Sequence, residues 1–391
     1  MASSRSFGFG IVGLGVIADF HVRAIQDMRG GHLACLFSNS GSTDAKKLAR
    51  RCGVELYVGD YDAFLKHPDL DVVVIATPSG AHLEPTVAAA KAGKHVICEK
   101  PLEITLERCS QMIRACRRAG VQLGGIFQSR TGGAVQAIRK ALDAGRFGKL
   151  TVCNAIIPWH RTQAYYDSGA WRGTWELDGG GALMNQSIHT IDLLQWLAGP
   201  IRSVYALAGN LAHKRIAVED TAVAVVRYRS GALGTIIGST AVWPGWPNEI
   251  HIVGTGGSAC MRGGELVHWD FVDKKSTDAR IRRTLGPQSQ TTARWGAGSP
   301  TSIGTEGHQL QFENFVRHLQ GKAPLLVDGA EARKSVEIIL GIYASALTGE
   351  TVNLPLKRTP ERRAFGKWGA GSTKRKPFFG IAGVSIPEPK P

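Results

Sequence analysis

The feature that most constrains the fold is the rhythm of residues 9–125, where short apolar runs rich in β-branched residues alternate with stretches of helical periodicity. Strands are expected at 9–12, 33–37, 72–76, 95–98 and 122–125. The run Val72-Val73-Val74-Ile75 has no polar alternation, which fits a strand buried on both faces. Residues 81–92 and 105–119 are expected to be covering helices. Strands alternating with helices need crossover connections, so this half is expected to be α/β, a doubly wound parallel sheet.

After about residue 150 the texture changes. Strands follow one another at 150–157, 203–208, 220–228, 233–240 and 249–253, which favours antiparallel pairing. Ser230-Gly231 and Thr255-Gly256-Gly257 are placed to close hairpins. Helices are expected at 182–197, 309–319 and 330–347, while residues 274–304 and the tail after Thr359 read as loop or arm. With 391 residues the chain exceeds the size at which one core keeps growing, so two domains are expected.

The bulk numbers exclude several classes. No apolar run approaches the about 20 residues of a membrane span, and Met1 to Phe7 lacks a secretory pattern, so a cytoplasmic location without membrane contact is expected. The seven cysteines form no Cys-x-x-Cys pair and read as buried small hydrophobes, not a disulfide framework or a metal site. Of the formal charge of +15, nine Lys or Arg against Glu361 and Glu388 place +7 in residues 357–391 and leave +8 for the body. No recognised motif accompanies that basic tail, so a nucleic-acid partner is not expected.

Three segments carry chemistry. Gly13-Leu14-Gly15-Val16-Ile17-Ala18 lies between the first strand and a helical stretch. There Gly13 permits a tight turn, Gly15 lets backbone approach a pyrophosphate, and Ala18 lets helix pack on strand, so Val16 and Ile17 at the helix start join the phosphate site. At the end of the second strand the chain reads Phe37-Ser38-Asn39-Ser40, where NAD-preferring proteins present a carboxylate. Nothing there repels a 2′-phosphate, and Ser38, Asn39 and Ser40 offer it hydrogen bonds. The cofactor expected is therefore NAD or NADP, with a slight lean to NADP. Thr77-Pro78, followed by His82, stands after the strand at 72–76 and reads either as a further cofactor contact or simply as a helix entry.

The second segment, Glu99-Lys100-Pro101, follows the strand at 95–98 at the carboxyl edge where doubly wound sheets bind ligands. Proline restricts Lys100 to extended geometry, and burial would lower its pKa toward proton-transfer duty. In the third, behind Gly179-Gly180-Gly181, a helix would put Asn185 and His189 one turn apart with Asp192 on nearly the same face. No second His or Cys sits at ligand spacing, so no metal is expected.

Together and in this order, these segments resemble the Gfo/Idh/MocA family of glucose–fructose and inositol dehydrogenase relatives, over about residues 7–355. The resemblance implies an N-terminal Rossmann doubly wound parallel sheet joined to a C-terminal α/β domain with a large, mostly antiparallel sheet. The division becomes 1–126 for dinucleotide binding, 127–356 for substrate binding and oligomerisation, and 357–391 for a basic C-terminal tail or arm. Homodimers or homotetramers are implied. So are Lys100 and His189 as the catalytic pair beside a nicotinamide held by Glu99, Lys100 and Gln128 among others.

The family often carries an aspartate four residues before that histidine. This chain has Asn185, which orients a hydroxyl but accepts no proton at neutral pH. The segments 159–166 and 171–175 resemble branches acting on pyranoses, including nucleotide-sugar 3-dehydrogenases. They make Tyr165, Trp171 and Arg172 expected sugar contacts, joined by Arg130, Lys100, Asn185 and His189. The expected function is hydride transfer between nicotinamide and a ring hydroxyl or ketone of a sugar or nucleotide sugar. The alternatives are an NAD-dependent glycoside-cleaving enzyme with transient sugar oxidation and a non-catalytic dinucleotide-binding sensor. Retention of Lys100 and His189 speaks against the sensor.

Overall fold

The first strand, β1 (Phe7–Val12), is buried along its whole length, as expected in the middle of a sheet covered on both faces. The computed structural model describes residues 5–287 and 304–360. From β1 the chain runs through α1 (Ala18–Asp27), β2 (Gly31–Ser38), α2 (Thr43–Cys52), β3 (Glu55–Val58), α3 (Tyr61–Leu65) and β4 (Val72–Ile75). It continues through α4 (Leu83–Lys91), β5 (His95–Cys98), α5 (Leu106–Arg118) and β6 (Leu123–Gly125). The six strands are parallel in the order β3-β2-β1-β4-β5-β6, the Rossmann order. That order reverses at β1, which opens a crevice beyond the carboxyl ends of β1 and β4. The edge strand β3 lies outside the expected strands because its four residues, with Glu55 and Val58 exposed, make no apolar run.

The second half opens with α6 (Gly133–Asp143), β7 (Leu150–Pro158) and α7 (Gln163–Asp167), then a π-helical stretch, Ala182–Ser187, that passes into α8 (Ile188–Ala198). Strands β8 (Ile201–Gly209), β9 (Thr221–Tyr228), β10 (Leu233–Ser239), β11 (Glu249–Gly254), β12 (Gly257–Arg262) and β13 (Glu265–Phe271) follow. The described chain ends with α9 (Thr277–Leu285), α10 (Glu306–Leu319), α11 (Gly329–Thr348) and β14 (Val352–Asn353). The eight-stranded sheet has the order β13-β12-β11-β7-β10-β9-β8-β14, with β10 parallel to β7 and the remaining pairs antiparallel.

Both expected hairpins form, between β9 and β10 and between β11 and β12. Helix α9 corrects the expectation of loop for the start of residues 274–304. Its apolar side is only Ile281 and Leu285, which pack against the core, and tertiary contacts hold it: Asp278 accepts from Trp269 Nε1 at 2.9 Å and from both terminal nitrogens of Arg146 at 2.8 Å. Residues 288–303 and the tail from 361 lie outside the described residues.

Helix α10 packs onto the first sheet, where Phe312 and Phe315 join Phe9, Ile11 and Ile25 in one core. All seven cysteines are free, six of them buried and Cys52 partly so. Helices α8 and α11 cover one face of the larger sheet. On the other, Leu207 stands across from Val223, and Leu233 across from Arg227, with Leu207, Val223, Val225 and Leu233 exposed. Among the described residues no helix is long and apolar enough to cross a membrane.

Candidate active site

Between the two sheets lies a cleft of about 1310 Å³, walled on one side by Gly13, Gly15, Val16, Ile17, Thr77 and Pro78. Gly13 is left-handed at φ +92°, and a Cβ there would lie 2.6 Å from the Ala76 carbonyl, so conformation and close approach both require glycine. At Gly15 a Cβ would meet nothing within 4 Å. That open space, facing a helix α1 that starts without a side-chain cap, fits a dinucleotide pyrophosphate.

Glu99, Lys100 and Gln128 line the same cleft. Ser38, Asn39 and Ser40 stand at the end of β2 outside the cleft wall, with Ser38 Oγ accepting from Gly41 N at 3.2 Å. His82 corrects the expectation of a cofactor contact. It is buried away from the cleft, with Nδ1 3.0 Å from the Pro101 carbonyl and Nε2 2.9 Å from that of Thr77, and so braces the two loops that do line it.

Lys100 crosses the cleft. Its Nζ donates to the Asn185 carbonyl at 3.0 Å and lies 3.5 Å from Asn185 Oδ1. Burial lowers its pKa, against the opposing charges of Glu99 and Asp178. Asn185 Nδ2 in turn donates to Asp178 Oδ1 at 2.6 Å, and Gly173 N donates to the other carboxylate oxygen at 2.9 Å. Asp178 is nearly fully buried, and that burial raises its carboxyl to about 6 despite those bonds. His189 lines the cleft edge-on to Phe127, its pKa pushed down to about 3 by burial and by the Lys100 charge.

The local backbone explains this convergence. A Cβ on Gly180 would sit 2.2 Å from the Tyr343 hydroxyl, and one on Gly181 would sit 1.8 Å from the Glu219 carbonyl, so the glycine loop passes where only glycine fits. Glu219 anchors its far end, accepting from Gly181 N, Leu183 N and the Tyr343 hydroxyl at 2.8 to 3.0 Å. The chain then forms a π-helical stretch in place of the expected single α-helix, which re-aims Asn185 relative to His189.

On the opposite wall Tyr165 OH accepts from Arg172 at 2.6 Å and from Gln186 Nε2 at 3.0 Å, while the Arg172 guanidinium lies 4.3 Å from the Tyr165 ring centre and 4.6 Å from that of Trp171. Trp159 and Arg161 complete that wall. Arg130 does not join it, which corrects the expectation of a sugar contact. It is 1% exposed, bidentate to Asp192 at 2.7 Å, 3.3 Å from Glu331, and 5.1 Å above the Trp196 ring. Asp192, expected on the face of Asn185 and His189, is turned to this pair instead.

Two further groups escape a reading of the sequence. Asp178 places a buried carboxylate against the Asn185 amide, and its only local signal is its place before the three glycines. Sequence spacing also hides a cluster of His21, Glu99 and His308, whose ligand-type atoms lie within 4.8 Å of one another.

A parallel sheet of this order, a glycine turn open to a pyrophosphate and a lysine at the carboxyl edge define an NAD-binding oxidoreductase. The comparisons make the family particular: residues 7–127 match the oxidoreductase family with an NAD-binding Rossmann fold, residues 135–260 match the GFO/IDH/MocA C-terminal domain, and the chain belongs to that family. It is 31% identical to the 1,5-anhydro-D-fructose reductase of Ensifer adhaerens over 58% of this chain and 67% of that one. It is 26% identical to the scyllo-inositol 2-dehydrogenase (NAD(+)) of Bacillus subtilis, over 89% of this chain and 96% of that one. Among solved structures, the WlbA dehydrogenase from Bordetella pertussis in complex with NADH and UDP-GlcNAcA is similar at TM-score 0.82 and 34% identity, over 91% of this chain and 100% of that one.

Proposed function

We propose that the chain is a dehydrogenase acting on a ring hydroxyl of an anionic nucleotide sugar, with Lys100 moving the hydroxyl proton. The observation that carries this reading is the line Lys100–Asn185–Asp178 beside the Arg172–Tyr165 pair, which Gln186, the neighbour of Asn185, ties to it in the same cleft. A bound NAD or NADP accepts or supplies the hydride. Ser38-Asn39-Ser40, without a carboxylate, keeps NADP in the proposal beside NAD.

The chain's own residues divide the remaining work. Lys100, its pKa lowered by burial, takes the hydroxyl proton as the carbonyl forms and returns it in the reverse direction. Asn185 fixes the amine, and ionised Asp178 stabilises the ammonium that results. His189, held neutral at working pH, offers a hydrogen bond and no charge. Trp159, Tyr165 and Trp171 present aromatic faces to a sugar, and Arg161 and Arg172 present cations to a carboxylate or diphosphate. The WlbA structure, with its nucleotide sugar uronate, supports this substrate class. The dehydrogenases and reductases among the relatives favour it over glycosidic cleavage and over a sensor. The exposed apolar face of β8, β9 and β10 is proposed to pair with a second copy of the chain.

Fluorescence titration with NADH and NADPH identifies the dinucleotide, and the oxidised form of that dinucleotide is then mixed with a panel of neutral free sugars, nucleotide sugars and nucleotide sugar uronates to test the reading. Binding of one reduced dinucleotide, and reduction of its oxidised form only with a nucleotide sugar uronate, are expected. Turnover of neutral sugars alone overturns the substrate class, and binding without any redox change overturns the dehydrogenase.

A further inference from the structure

Beside Lys100 lies a group of side chains to which the proposed reaction gives no proton-transfer role, with Glu99 and His308 on the cleft wall and His21 beneath them. His21 is in the first turn of α1, Glu99 directly follows β5, and His308 is in the first turn of α10, so three distant segments meet at one point. All three are buried, His21 at 0%, Glu99 at 7% and His308 at 1% exposure. His21 Nε2 stands 2.9 Å from Glu99 Oε1, and the other oxygen, Oε2, accepts from the Lys100 backbone N–H at 3.0 Å. The His308 ring packs edge-on to His21 at 5.2 Å. Gln309 Nε2 donates to the Asp27 carbonyl at 3.0 Å, and Arg29 N donates to Glu313 Oε1 at 3.1 Å, so α10 and the end of α1 are tied together.

A carboxylate buried to this degree is costly unless it is partnered. Burial alone would raise the Glu99 carboxyl; the contact and charge of His21, with His308 and Lys100, hold it well below the usual carboxylate range. Its charge matters to Lys100. The groups acting on that amine are the anions Glu99 and Asp178 and the cations Arg172 and Arg161, with His189 facing it from α8. Glu99 is the largest support for the ammonium form against burial, and it also holds the lysine's backbone. Neither imidazole reaches the Lys100 amine, so both act through Glu99.

We propose that His21 and His308 are positioning residues: His21 holds the Glu99 carboxylate beneath Lys100 and the His308 ring braces His21, which locks the proton-moving lysine to the helix that follows the glycine turn. The clamp's importance for catalysis rests on the reading of Lys100 given above, but its existence can be tested without any sugar.

The full-length protein is reductively methylated with formaldehyde across a pH series, and Lys100 modification is read by peptide mass spectrometry. Glu99→Gln is expected to lower the pH of half-modification by about one unit, because Lys100 loses its nearest anion, and His21→Leu to lower it by less, because the carboxylate left without its partner takes up a proton more readily. His21→Gln, which keeps a donor for Glu99, is expected to stay near wild type, with His308→Asn between the two. An unchanged curve in folded Glu99→Gln overturns the proposal; if that variant does not fold, equal curves for His21→Leu and His21→Gln do so. Stoichiometric zinc in the purified protein, lost in His21→Leu, also overturns it, since the three side chains would then be metal ligands. Failure of the wild type to oxidise any sugar would remove the proposed function and leave these curves as they are.

Discussion

Helix α8 carries two ionisable residues one turn apart, His189 and Asp192, whose surroundings differ in kind. Asp192 is fully buried, yet both oxygens are matched by the fork of Arg130, with Glu331 alongside. On the cleft side, Lys100 meets a carbonyl and an amide instead of a carboxylate, Asp178 is held at about 6, and His189 Nδ1 has no partner among the described residues. The first centre is closed and neutralised, so it serves the fold. Burial raises the Asp192 carboxyl as it does that of Asp178, so the second centre differs in that its shifted groups lack a matched partner of opposite charge, which is the condition a proton-transfer site needs. Both centres are buried and charged; only the completeness of pairing tells them apart.

The largest expected effect lies on the open centre. Lys100→Met should reduce turnover about 10³-fold while NADH still binds, measured by steady-state kinetics and fluorescence titration. A loss of less than tenfold would dissolve the distinction. The closed centre should answer in stability instead: Arg130→Met leaves Asp192 buried without its partner and should cost about 3–5 kcal/mol in urea unfolding, with turnover of the folded fraction unchanged. A stable Arg130→Met with impaired turnover would return Arg130 to the sugar site.

Asp178→Asn sharpens the contrast through pH. Because the folded carboxyl is raised from 3.8 to about 6, ionising it costs stability as pH rises through that window, and none of the cost is present below it. The variant should therefore be more stable than wild type at pH 7 in thermal melts, although turnover falls about tenfold and the acid limb of the rate profile near pH 6 disappears. A variant less stable at pH 7 would mean that Asp178 belongs with the structural pairs. The smallest effect is at the cofactor wall: Gly15→Ala should leave the melting temperature unchanged and weaken NADH about tenfold, as 1.4 kcal/mol of lost contact implies. Unaltered affinity would show that the open space at Gly15 is not where the pyrophosphate lies.

Much of this was legible in the residues. Expected strands of the first sheet end within two residues of those observed, because a strand buried on both faces must be apolar throughout. Gly13, Gly15, Lys100, Asn185 and His189 all reach the cleft, each being part of a short contiguous motif. Arg130 and His82 were misread for one reason: a polar residue beside a motif looks functional until its partners are known, and those partners, Asp192 and the carbonyls of Thr77 and Pro101, are distant in sequence or on the backbone. Helix α9 and strands β12 and β13 were missed because glycines and charges in them mask the periodicity.

The sequence by itself determined the alternation of strand and helix, the glycine turn and the identity of the lysine, since these rest on local geometry and on periodic burial. Only the tertiary structure decided that Asp178 lies against Asn185, that Arg130 faces Asp192, and that His21 and His308 meet near Glu99. Pairing between buried charges depends on distance in space and on the low dielectric that burial creates, and neither is written in the order of residues along the chain.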